Sequence, residues 1–139
     1  RERFLTDREW FLEELRRAWI GRYKPQERLS PYALKEQTFD FSSSFFQSIS
    51  SRRLDEDEIR KLVRVMVDLI TGRHSQEHNL TIHELFEGLG GKQVRRDDGA
   101  LCWRVHLEKG APQAKRLHYW QRLDGVMEFG WVANHDEDL

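Results

Sequence analysis

Arg104 and His106 stand two residues apart in CWRVHLEK, and Arg116 and His118 stand two apart in KRLHYWQRLDG. A guanidinium forks onto phosphate oxygens, and an imidazole moves a proton near neutral pH. Residues two apart on a strand lie on the same face of its sheet. If both stretches are strands, each pair shares a face, and a patch of that composition suits a phosphodiester.

The stretch from Leu101 onward supports the strand reading. Leu101, Trp103, Val105 and Leu107 alternate with Cys102, Arg104, His106 and Glu108, the pattern of a sheet with one buried face. The face carrying Arg104 and His106 is expected to be free to bind or react. Leu123-Asp124-Gly125-Val126 is a hairpin signal that joins Arg116–Arg122 to Val126–Ala133. Asp97-Asp98-Gly99 is a second hairpin-type turn, between Lys92–Arg96 and the strand from Ala100. The polar end ANHDEDL follows the last strand and reads equally as a solvated tail.

The preceding chain supplies helices to back such a sheet. Thr6 and Glu9 form a capping box ahead of Phe11, Leu15, Ala18 and Trp19 at helical spacing, with Gly21 as a stop. This amphipathic helix is expected to pack on its own domain, with docking to a partner as the alternative. Pro25 and Pro31 punctuate an irregular stretch with room for one short helical turn. Thr38–Phe41 alternates as a short strand, and Ser42–Ser44 offers an N-cap for a helix with Phe45, Phe46 and Ile49. Asp55 with Glu58 opens the best-specified helix, whose stripe is Ile59, Leu62, Val63, Met66, Leu69 and Ile70, ending at Gly72. Its arginines and lysine read as a solvated face. The Leu80–Leu89 stretch is a short apolar segment.

Size and composition bound the functions. A chain of 139 residues, 38% hydrophobic and 34% charged, is one domain with a modest core under a charged surface. Five Trp and eight Phe supply much of that core. A net charge of -1 provides no global field toward nucleic acid, so such a role needs a local basic face. The single cysteine, Cys102, excludes an intramolecular disulfide and fits a reducing compartment. No apolar run spans a bilayer and no signal-peptide pattern is present, so a cytoplasmic protein without membrane contact is expected. The chain starts with Arg rather than Met, which fits a trimmed or partial chain. His74 and His78 are four apart, a metal-ligand spacing only on a helix; the stretch reads as a loop, and neither metal nor other cofactor is expected.

The order strand, helix, helix, then three or four antiparallel strands makes an α+β layer with two helices on one face of a sheet of about four strands. An N-terminal helical extension, residues 1–37, precedes this domain at 38–139. FDFSSSFFQSI, LDEDEIRKLVRVMVDLI, LTIHELFEG, CWRVHLEK, KRLHYWQRLDG and WVANHDEDL together resemble the RelE/ParE toxin superfamily, over the last hundred residues or so and none of the extension. The ending is similar to family versions reading His-Asp-Glu, including RelE-like domains joined to UvrD-type helicases. The resemblance implies catalytic roles for Arg104, His106, Arg116 and His135, and substrate contacts by His118, Tyr119 and Arg122.

It also implies a metal-free mechanism, in which an RNA 2′-hydroxyl attacks the adjacent phosphate. Its products are a cyclic phosphate and a free 5′-hydroxyl. The implied partners are messenger RNA, the ribosome and a neutralising antitoxin. The near-neutral charge, Leu139 near the place of a frequent terminal tyrosine, and the acids Glu108 and Asp136 depart from the family pattern. They keep a second class in view: a non-catalytic protein-binding module, part of a larger protein, or a toxin of the ParE type directed at DNA gyrase.

Overall fold

The structure is a computed structural model that describes residues 2–29, 32–72, 82–84, 91–107 and 114–134. Its helices are α1 (Glu2–Arg22), α2 (Pro25–Leu29), α3 (Ser43–Ser51) and α4 (Glu56–Thr71). Its strands are β1 (Phe39–Phe41), β2 (Ile82–Glu84), β3 (Leu101–His106), β4 (Lys115–Gln121) and β5 (Met127–Asn134). The class is α+β, as the order of elements implies. The chain divides into two compact units, one of Arg1–Glu36 with Leu54–Leu80, the other of Gln37–Arg53 with Thr81–Leu139. α4 falls in the same unit as α1.

In the helical unit, α1 begins four residues before Thr6, so that residue lies inside the helix and does not cap it. Phe11, Leu12 and Leu15 are buried along α1. The Trp19 indole donates to the Tyr32 carbonyl at 2.8 Å, which fastens the irregular stretch after α2 back onto α1. Pro25 starts α2, where its missing amide hydrogen costs nothing.

On α4, the Asp55 carboxylate accepts from the Glu58 amide at 2.8 Å and the Glu58 carboxylate accepts from the Asp55 amide at 3.0 Å. That is the expected capping box, and Gly72 closes the helix with φ of 83°. The buried Asp68 carboxylate receives Arg22 at 2.9 Å and the Tyr23 hydroxyl at 2.7 Å. Tyr23 in turn shares a 3.0 Å hydrogen bond with Thr71. The two donors to Asp68 help offset the cost of taking its charge out of water.

The sheet unit holds five strands in the order β1-β5-β4-β3-β2, against the four or so expected. β1 runs parallel to β5 and the other pairs are antiparallel, so the sheet is mixed. Phe39 and Phe41 of β1, Phe45 and Phe46 of α3 and Phe129 of β5 form an aromatic core, with Phe41–Phe45 centroids 5.4 Å apart and Phe41–Phe129 centroids 5.9 Å apart. Ser42 is the N-cap of α3 by position, but its hydroxyl makes no capping bond. Instead Ser42 and Ser44 donate to the Gly130 carbonyl at 3.0 and 2.7 Å, and Ser48 accepts from the Val132 amide at 2.8 Å. These serines serve polar groups of β5 where its ladder is irregular.

Both expected turns form. Gly125 has φ of 88°, and the Asp124 carboxylate accepts from the Val126 amide at 3.0 Å. Gly99 has φ of 89°, and the arm before it meets β3 through the bridge Arg95–Leu101 and through the Cys102 amide, which donates to the Val94 carbonyl at 3.0 Å. No helix among the described residues is long and apolar enough to cross a membrane.

Candidate functional site

The ladder between β3 and β4 sets Arg104 opposite His118 and His106 opposite Arg116. Side chains of directly opposed residues point to the same face, so these four basic groups share one face of the central strands. Each arginine stands across from a histidine, and each histidine is two residues along from an arginine. The expected pairing of guanidinium with imidazole is therefore doubled by the register. His83 on β2 is the register partner of Arg104 on the other side.

Burial grades this patch. Arg104 and His106 are partly buried, Arg116 is 7% exposed and His118 is fully buried. The expectation of an open face is thus corrected: alternation assigns residues to a face without saying whether that face meets solvent. The His118 ring lies flat on Trp131, with centroids 4.5 Å apart and planes 4° from parallel. Cys102, on the same face opposite Trp120, is fully buried against Val94, Trp120 and Trp131. Burial pushes its thiol up to about 12, so it is a packed apolar group at neutral pH.

The remaining sequence candidates separate from the four. Tyr119 follows His118 and so turns to the opposite face, where it is 5% exposed with its ring 6.4 Å from Phe129. Burial holds its phenol up to about 12. Arg122 lies past the end of β4 and is held by Asp124 at 2.5 Å and Glu128 at 3.8 Å. Glu128 also takes Arg96 at 2.8 Å, and Arg96 reaches Asp98 at 2.7 Å and lies over the Trp120 ring at 5.1 Å. The Arg96 guanidinium holds the Asp98 carboxyl down at about 2, with help from the Ala100 amide. At this end of the sheet the arginines are matched by carboxylates.

His135 lies outside the described residues, as do His74, His78, Glu108 and Asp136. Among the described residues, no three His, Cys, Asp or Glu side chains converge as metal ligands would.

Trp131 is the cross-strand partner of His118, and the bulge that turns it there is what sequence reading missed. Strict alternation along β5 would put Met127, Phe129, Trp131 and Ala133 on one face. A register shift between His118 and Tyr119 breaks that alternation, with Gly130 as the extra residue on β5. Phe129 and Val132 then both enter the core while Trp131 reaches His118. Gly130 fits because a Cβ there would meet the His118 carbonyl at 3.3 Å and the Trp120 indole nitrogen at 3.2 Å. The glycine inside a strand pattern was the available signal. Compared with protein-family models, curated proteins and solved structures, the chain matches none.

Proposed function

We propose that the sheet unit is a toxin-type endoribonuclease that cuts messenger RNA, on or near the ribosome, without a metal. The observation that carries this reading is the cross-strand register of Arg104 with His118 and of His106 with Arg116. Arg104 and His106, the two less buried members, are the groups that meet the phosphodiester. His106 takes the proton of the 2′-hydroxyl as that oxygen bonds to phosphorus. The bond from phosphorus to the 5′-oxygen then breaks, and the leaving oxygen takes a proton from a second acid, for which the RelE/ParE resemblance nominates His135. Arg104, backed by Arg116, neutralises the charge that builds on the phosphate oxygens. An antitoxin protein is the partner this reading requires.

The near-complete burial of Arg116 and His118 favours a second reading, a non-catalytic module of the same type that holds a protein partner, DNA gyrase among the options. A translation reaction with a defined messenger RNA, followed by mapping of new RNA ends, separates the two. The nuclease reading expects cuts with cyclic phosphate ends that persist in chelator. It expects His106→Ala and Arg104→Ala each to slow cutting by about 100-fold or more while the fold is kept. Intact RNA, or cutting indifferent to both substitutions, would overturn it in favour of the binding module.

A further inference from the structure

In the helical unit, α1 and α4 leave a groove of about 370 Å³ between them. Its floor is apolar, made by Trp10 and Ala18 from α1 and Ile59 and Val63 from α4. Trp10 is 45% exposed, although its ring is braced edge-on against buried Phe11 with centroids 5.0 Å apart. An aromatic held in place and left in water is an anchor with little conformational entropy to lose on binding.

The groove's edges decide what could lie in it. Arg17 from α1 and Arg60 and Arg64 from α4 stand along them, all exposed. Arg60 and Arg64 are one helical turn apart and so point the same way. Arg17 leans on Glu14 at 3.5 Å, a loose contact at the surface. Arg60 reaches Asp57 at 3.4 Å, but that carboxylate is shared with Lys61 at 3.2 Å. Arg64 has no carboxylate partner among the described residues. The one other acid of the lining, Glu56, is in the first turn of α4, where the helix N-terminus favours it. Going along the groove from that end, the unmatched charge is positive.

We infer that this groove is a docking site for an acidic amphipathic helix of a partner protein. Apolar side chains of the partner would fill the floor over Trp10 and Ile59, and its carboxylates, one turn apart, would meet Arg60 and Arg64. This is the helix-in-groove mode, with specificity set by the arginines. It concerns residues outside the sheet and stands independently of any RNA chemistry there.

The test uses the full chain and a synthetic peptide of about 15 residues, with leucines on one helical face and glutamates on the other, beside a twin with lysine for glutamate. The glutamate peptide should bind and weaken as salt rises, and the lysine twin should bind about tenfold less tightly or worse. Arg64→Glu with Arg60→Glu should cost at least about tenfold with unchanged circular dichroism, and Trp10→Ala should also weaken binding. Equal affinity for the two peptides, no binding, or indifference to the arginine changes would overturn the inference. Capture by vesicles of anionic lipid without capture of the peptide would overturn it too, and assign the groove to a membrane surface.

Discussion

Cys102 shares its face with Arg104 and His106, and its environment rather than its neighbours sets its chemistry. With no exposure, its thiol loses more by ionising than it would in water, and its titration moves from 9.0 to about 12. Tyr119 moves from 10.0 to about 12 for the same first reason, and so does Tyr23. In each case the folded state holds the proton more tightly than the unfolded chain. The stabilisation is therefore complete below the unfolded value and is lost as pH rises through the folded one. The urea midpoint should fall from about pH 9 upward, and Cys102→Ala should remove the earliest part of that fall and leave the tyrosine part. A midpoint flat up to about pH 11 would contradict the burial of these groups. Iodoacetamide should label Cys102 in urea and leave it untouched in native protein at about pH 8.

At the level of elements, local sequence and tertiary demand agree on α4 and differ on β5. The capping box of Asp55 and Glu58 satisfies two amides at the helix start with no help from elsewhere. Asp55→Ala should lower stability by about 1 kcal/mol in urea unfolding, through loss of the cap alone. A loss too small to measure would mean that the first turn is held by packing. On β5, Gly130 is called for by a close approach to the backbone of β4 and to the Trp120 indole, neither of which is local to it. The bulge it permits is what places an indole against His118 and keeps Phe129 with the aromatic core.

At the scale of the whole molecule, the helical unit is assembled from segments separated by β1 and α3. The N-terminal helices are thus part of a unit that α4 completes, with Arg22 and Tyr23 both bonded to Asp68. Removing residues 1–36 strips Asp68 of two donors and uncovers apolar surface on α4. The truncated chain should give a markedly lower yield of soluble, monomeric protein by size-exclusion chromatography, since an unpaired buried charge costs about 3 kcal/mol or more. A truncated form as stable as the full chain would show that α4 does not depend on α1.

Much of the secondary structure is legible in the sequence because its causes are local. The alternation in CWRVHLEK, the turn at Asp124-Gly125, the cap at Asp55 and the stop at Gly72 each act within a few residues, and the α+β class follows from their order. The shared face of Arg104 with His106, and of Arg116 with His118, follows from the period of two in a strand. Other features depend on residues far apart in the chain. The register that opposes Arg104 to His118 is set by pairing between separate strands, and the parallel placement of β1 beside β5 by pairing of strands far apart in the chain. The same holds for the bulge at Gly130. Burial is likewise a tertiary quantity: the pattern marks Arg116 and His118 as polar, and only packing makes one nearly inaccessible and lays the other on Trp131. By itself the sequence determined which side chains share a face; the tertiary structure decided which of them solvent and ligands reach, because exposure depends on contacts that no local pattern encodes.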